Sequence, residues 1–398
     1  MAKLRVAVLH NFYRHLAGED VVFHSEVELL RSYGHEVLIY TVSNDLLKEL
    51  SPWGMARQAI WNPESYHALQ QWFKEHRPDV AHFHNTAYVL SNSAYQAAFE
   101  SGVAVVQTLH NYRLICPGGQ LLRNGVPCEL CVGRKFPVHS LLYGCYRGSR
   151  PMTLVRVFMI EHQKRRLWSH AIQKFIALTE FSRQKFIQGG LPAEKVVVKP
   201  NFLAPDPGEG AHEGDYALYV GRLSKEKGIE VVLQAWEQVP SQIPLKIVGD
   251  GPLASLVQQA VRRHAHIHWM GKQPRETVLA LMKQARMLVF PSVCYENMSL
   301  ALVEAMATGL PVVASAHGSM ASMLVHSETG FLFKPGDADA LREQVLQVWD
   351  EPALLARVGH AARTEYLQHY TAERNYERLI DIYRQAIEER NGASVCAS

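Results

Sequence analysis

Glu296 and Glu304 stand with seven residues between them in the stretch FPSVCYENMSLALVEAMATGLPVVAS, Phe290 to Ser315. Paired carboxylates can divide acid and base work, as in glycoside hydrolysis. Alternatively, each can accept hydrogen bonds from sugar hydroxyls. On an exposed helix, two glutamates eight apart can equally be a solvated face. Other groups carry chemistry of their own. Arg222 and Lys227 flank a turn after an apolar run, where guanidinium and ammonium groups can meet phosphate. His110 ends the apolar run VAVVQTLH. Cys116, Cys128, Cys131 and Cys145 follow it as C-x11-C-x2-C-x13-C. In a reducing compartment that cluster predicts a tetrahedral structural zinc rather than disulfides, the alternative being a group of ordinary buried thiols.

Such groups need a scaffold, and the chain describes one. LRVAVLH, HEVLIYT, DVAHFH, VAVVQTLH, KFIALT and KVVVKP read as strands buried on both faces, with helix-period segments between most of them. That alternation predicts a doubly wound parallel sheet. NFLAPDPGEGAHEGD, after Pro200, reads as an interdomain linker. The alternation then restarts with YALYVG, LKIVG, IHWMG, MLVFPS, PVVAS and GFLFKP. Two Rossmann-like halves are expected, residues 1–200 and 201–370, in a chain of 398 residues. Open α/β sheets bind ligands at the carboxyl ends of their strands. A nicotinamide dehydrogenase is disfavoured, because the first strand is followed by HNFYRHLAGED, without GxGxxG. His82 with His84, and His264 with His266 and His268, alternate as strand residues do and read as such rather than as metal ligands.

A formal net charge of +3 is too small to imply a nucleic-acid partner. MAKLRVAVLH leaves no room for a signal peptide, and no run reaches the ~18 apolar residues of a membrane span, so a cytoplasmic location is expected. Basic character is local: Arg147 to Lys185 hold nine Lys or Arg against two Glu. There an apolar run leads into Lys164, Arg165 and Arg166, which predicts contact with an anionic membrane, at its inner face, or with a lipid diphosphate acceptor. The alternative is a core helix with a solvated end.

Five motifs in order, VGRLSKEKGIE, IVGDGPL, FPS, the E-x7-E pair and EAMATGLPVVAS, resemble the retaining glycosyltransferases of the GT4 family, which have the GT-B fold of two Rossmann-like domains facing each other across a cleft. The resemblance covers nearly the whole chain and implies a hexosyltransferase. Its donor would be a UDP- or GDP-linked hexose, its acceptor a saccharide or lipid-linked hydroxyl in cell-surface polysaccharide or glycolipid assembly, and no catalytic metal would take part. It implies Glu296 on the sugar hydroxyls and Glu304 on the ribose diol. Arg222, Lys227 and the backbone of Asn297, Met298, Ser299 and Leu300 would hold the diphosphate. His110 matches the family's active-site histidine, and Gly18, in AGEDVV, the loop that approaches donor phosphate. Ala17, Asn297 and Ser299 depart from the family pattern, having replaced glycines. A helix near residues 371–391 would pack back on the first domain. The inserted segment, residues 112–150, would need an internal anchor, for which the cysteine cluster offers a metal. A sugar-nucleotide epimerase or phosphorylase of the same fold, or a silent scaffold, are the alternatives.

Overall fold

The computed structural model describes residues 3–13, 18–47 and 51–395. Contacts divide the chain into two units. One takes the chain to Leu121, then Glu129–Pro200 and the stretch from Asn375 onward; the other takes Leu122–Cys128 and Asn201–Arg374.

The first unit is built on β1 (Arg5–Phe12), β2 (Glu36–Ser43), β3 (Val80–Asn85) and β4 (Ala104–Thr108). A two-residue-arm hairpin, β5 (Leu122–Arg123) and β6 (Val126–Pro127), interrupts them before β7 (Lys174–Ala177) and β8 (Val196–Val198). The six-stranded sheet runs β2-β1-β3-β4-β7-β8 with every pairing parallel. Val6 sits between Val37 and Val80, and Val6, Ala7, Val8 and Leu9 are wholly buried, as two-faced burial requires. The doubly wound sheet expected from the sequence is therefore present.

A polar knot lies inside this hydrophobic shell. Glu26, from the helix Gly18–Ser32, meets Lys199 at 2.5 Å with both side chains fully buried. Lys199 also donates to Asn375 Oδ1 at 3.2 Å, and Asn375 donates to the carbonyl of Pro200 at 2.6 Å. Tyr383 OH lies 2.7 Å from His82 Nδ1, and Tyr376 stacks on Tyr33 at 3.6 Å. These contacts hold the C-terminal helix Ala372–Val395, from Asn375 onward, against the first sheet. Glu26, His82 and His84 are, among the described residues, a group of three metal-capable side chains with donor atoms within 4.8 Å of one another. Lys199 already supplies the cation there.

The second unit's sheet is β9 (Ala217–Val220), β10 (Leu245–Val248), β11 (Ile267–Trp269), β12 (Met287–Phe290), β13 (Val312–Ser315) and β14 (Phe331–Phe333). Its order is β11-β10-β9-β12-β13-β14, again parallel, so the winding reverses between β9 and β12. The segment read as an interdomain linker is docked on this unit. Gly210, His212 and Gly214 donate backbone hydrogen bonds to Thr308, Lys283 and Gln284, and Arg363 grips Asp206 with two bonds of 2.6 Å. Composition marked the boundary, but the backbone found partners there.

Candidate functional site

At the carboxyl ends of β9 and β12, beside the reversal of the winding, the loops converge. After β9 the chain turns through Arg222, which is exposed, to the 3-10 turn Lys225–Lys227 and Gly228. Gly228 has φ +71°, and a Cβ there would lie 2.0 Å from the carbonyl oxygen of Pro291, so glycine lets the β9 loop touch the β12 loop. That approach places Lys227 Nζ 2.6 Å from Glu296 Oε1, which also accepts from Ser292 Oγ at 2.5 Å. Burial would raise the Glu296 carboxyl. The adjacent Lys227 charge and the hydrogen bonds from Lys227, Ser292 and Cys294 outweigh it and hold the group below its ordinary value. Burial alone would lower Lys227, yet Glu296 keeps it above its ordinary value and cationic. Burial, reinforced by the Glu296 charge, pushes the Cys294 thiol up to about 12, so it stays protonated.

The backbone after Glu296 is clamped from β13's side. Ser319 Oγ donates to the carbonyl of Glu296 at 2.5 Å and of Asn297 at 2.8 Å, and His317 Nε2 donates to the carbonyl of Ser292 at 2.8 Å. Met298 is buried, its sulfur 3.1 Å from the Asn201 amide. The helix Leu300–Thr308 then starts at Ser299, whose side chain makes no capping bond. Amides at such a start are ready to receive an anion. Glu304, on the second turn, accepts from Arg275 Nε at 3.0 Å; burial raises its carboxyl, and Arg275 opposes the rise only in part. Glu296, Lys227, Ser292 and the residues from Asn297 to Leu300 gather at one place, and Glu304 follows on the helix.

The first unit holds the other candidates. His110 follows β4, its Nε2 3.0 Å from Nδ1 of His84 at the end of β3. Burial, and then the neighbouring His84, keep His110 well below the usual histidine range, so it is a neutral imidazole at pH 7. Gly18 opens the helix Gly18–Ser32, whose Asp20 bonds His10 Nε2 at 2.7 Å; Ala17 lies outside the described residues. Burial, with the charge of Asp20, pushes Glu19 up to about 8, and Asn111 lies 3.5 Å from it.

Among the described residues no three of Cys116, Cys128, Cys131 and Cys145 bring their sulfurs within 4.8 Å of one another. Cys116 Sγ and Cys145 Cβ both lie within 4 Å of the position a Cβ would take on Gly118. Packing supplies the anchor that the inserted segment needs: Tyr112 is buried against Phe186, Glu129 pairs with Lys185 at 2.8 Å, and Tyr146 bonds Tyr88 through their hydroxyls. Lys164, Arg165 and Arg166 end the helix Arg150–Arg166. Lys164 lies over Trp168 and Arg165 pairs with Glu161 at 3.5 Å, while Arg165 and Arg166 face solvent. Sequence reasoning passed over Arg275, which no motif marks, and the link from His84 to His110. The H-F-H alternation did place His82 and His84 on one face.

Two sequence profiles match the chain, one described as "Glycosyl transferases group 1" over residues 206–365 and one as "Glycosyltransferase Family 4" over residues 18–206. The amylovoran biosynthesis glycosyltransferase AmsK of Erwinia amylovora is 29% identical over 54% of this chain and 54% of its own. N-acetyl-alpha-D-glucosaminyl L-malate synthase of Bacillus anthracis is 26% identical over 50% and 53%. The chain thus spans about half the length of these curated relatives. Among solved structures, Anabaena Alr3699/HepE in complex with UDP-glucose superposes with a TM-score of 0.67 at 17% identity, covering 98% of this chain and 100% of that one. Sucrose-phosphate synthase from Thermosynechococcus elongatus gives 0.72 at 18%, covering 97% and 100%. At such identities the likeness speaks to the fold.

Proposed function

From its membership of the glycosyl transferases group 1 and glycosyltransferase family 4, with the GT-B fold, we propose that this chain transfers a hexose from a nucleotide sugar to an acceptor hydroxyl with retention of configuration. The observation that carries the reading is the Lys227–Glu296–Ser292 cluster beside the uncapped start of the helix Leu300–Thr308. Arg222, Lys227 and the amides from Asn297 to Leu300 take the diphosphate, Glu296 the sugar hydroxyls, Glu304 the ribose diol. His110, as a neutral imidazole, is assigned to the transferred sugar, and Gly18 to the donor phosphate loop. The acceptor oxygen attacks the anomeric carbon on the face the phosphate leaves; the bond from carbon to phosphate oxygen breaks, and the acceptor proton passes to that departing oxygen. Lys227 and Arg222 offset its growing charge, and no catalytic metal takes part.

UDP is the first nucleotide to try, since a structural neighbour binds UDP-glucose. The relative named for amylovoran biosynthesis favours polysaccharide or glycolipid assembly. A panel of UDP- and GDP-hexoses, followed by release of nucleoside diphosphate with and without saccharide acceptors, tests the reading. Release that depends on acceptor supports transfer. Turnover without acceptor points to an epimerase, turnover that needs inorganic phosphate to a phosphorylase, and absence of donor binding to a silent scaffold.

Glu304→Gln is expected to weaken UDP about 10- to 100-fold, the loss of one or two hydrogen bonds to a charged acceptor. Because burial raises the Glu304 carboxyl, wild-type affinity should fall more steeply than the variant's as pH drops through that raised value, the titration of the UDP phosphate being common to both. Calorimetry between pH 5 and pH 8 checks both, and an unchanged affinity removes Glu304 from the nucleotide.

Among the described residues no helix is long and apolar enough to cross a membrane. Peripheral contact at the inner face is proposed through the helix Arg150–Arg166, where Phe158 is 50% exposed alongside Arg165 and Arg166. Replacing Lys164, Arg165 and Arg166 by Gln should reduce binding to anionic vesicles, each charge contributing about 1 kcal/mol. Vesicle binding equal to wild type would reduce the segment to a packed helix.

A further inference from the structure

The helix Arg150–Arg166 also turns a basic residue inward. Arg156 is 4% exposed, and its Nε has no hydrogen-bond partner. Its guanidinium lies 5.8 Å from the ring of Tyr88 and 5.7 Å from that of Tyr146, and Nη1 reaches only the sulfur of Met159, at 3.6 Å. Arg113, four residues beyond Leu109, lies over Tyr13 at 4.9 Å. Among the described residues neither arginine has a carboxylate partner. Burial, and then the charge of Arg156, pull Arg113 down to about 10, so Arg113 feels the neighbouring cation and remains charged at pH 7.

Both arginines line one cavity of about 60 Å³ in the first unit, together with His84, His110, Asn111 and Gln163. None of its lining residues is Asp or Glu. At roughly 10–15 Å³ for each water-sized sphere, the cavity admits a carboxylate or a phosphoryl group and not a whole sugar ring. The Arg156 guanidinium, removed from water without a counter-charge and close to the part-exposed Arg113, is unfavourable, and the tyrosine faces compensate only in part. An anion entering between them would remove that penalty, and the planar fork of arginine suits the flat or tetrahedral oxygens of either group.

We propose that this cavity is an anion subsite for the acceptor: the hydroxyl to be glycosylated belongs to a molecule that carries a carboxylate or phosphoryl group, which Arg113 and Arg156 hold beside His110. The proposal rests on the reading that His110 faces the transferred sugar. The donor's phosphates already have their own partners in the second unit, at Arg222, Lys227 and the helix start, so the cavity is assigned to the other substrate. It is also distinct from Lys164, Arg165 and Arg166, none of which lines it. Those groups would meet a surface, whereas Arg156 would meet one buried group.

The test uses D-glucuronate and inorganic phosphate as probes, with D-glucose as the neutral control, on the full chain by calorimetry and thermal melting. Both acids, or one of them, should bind wild type and raise its melting temperature while D-glucose does not. Arg113→Gln and Arg156→Gln should each lose at least about tenfold in that affinity, the equivalent of one charge-assisted bond. Arg156→Lys, which keeps charge without the fork, should fall between them and wild type. The stronger of the two probes names the acidic group. Acids that bind wild type no better than D-glucose, or that bind Arg113→Gln and Arg156→Gln as tightly as wild type, overturn the subsite. Should Arg156→Gln fail to fold, the part-exposed Arg113 carries the same comparison. UDP binding, measured on the same samples, separates the two readings. Its loss in wild type counts against the transferase, and its persistence with no acid binding counts against the anion subsite alone.

Discussion

Glu296→Ala is expected to lower kcat by about 10²–10³-fold, the effect of deleting one preorganised polar group at a reacting centre, while UDP affinity changes by no more than about threefold. The reason lies in what the carboxylate touches. Glu296 Oε1 accepts from Lys227 at 2.6 Å and from Ser292 at 2.5 Å, so its charge fixes the ammonium beside the place assigned to the sugar and its phosphate. Removal leaves Lys227 able to reach the diphosphate, which preserves nucleotide binding, but takes away the acceptor for the sugar hydroxyls. Glu296→Gln keeps the shape and loses the charge. It should stay within about tenfold of the alanine variant if charge is what matters. Steady-state kinetics with calorimetry on the diphosphate product decides the matter: an affinity loss equal to the activity loss would place Glu296 on the nucleotide and break the division of labour with Glu304.

Glu26→Ala should cost about 3–5 kcal/mol of the first unit's stability, because it strands Lys199 in the interior without its counter-charge. The 2.5 Å pair has both side chains fully buried. Burial pushes the Glu26 carboxyl up, but Lys199 and then the neighbouring histidines hold it well below its ordinary value of 4.5. A depressed carboxylate contributes stability that is present above pH 4.5 and lost as the pH falls through the folded value, so acid should unfold wild type at this point and leave the variant less affected. Replacing both partners, with Glu26→Leu and Lys199→Met, should recover much of the loss. Urea unfolding of the three proteins measures it. A single variant within about 1 kcal/mol of wild type would show that water, not Lys199, compensates Glu26.

The strands were legible because parallel strands write themselves as short apolar, β-branched runs, and each run expected from the sequence is a strand in one of the two sheets; HEVLIYT, expected to be buried on both faces, is instead the edge strand β2, in which no residue is buried. The motifs after β9 and β12 were legible for a related reason. A loop that must bring Gly228 against Pro291 tolerates few alternatives, so its residues are recognisable wherever the turn occurs. The inserted segment was not legible. Its length demanded an anchor, and Tyr112 against Phe186 and Glu129 against Lys185 are contacts with residues that no motif marks.

What the sequence by itself determined about this chain is its two parallel α/β units, the loops that bear Lys227 and Glu296 and the helix that bears Glu304, since periodicity and turn chemistry are properties of a few consecutive residues. The tertiary structure alone decided which charges meet. Glu26 and Lys199 stand 173 positions apart, Arg275 and Glu304 on different helices, and Arg113 shares a cavity with Arg156 although neither residue's neighbours hint at the other. Strand register and helix rotation set those encounters, and both are outcomes of how whole elements pack, which no local stretch of residues encodes.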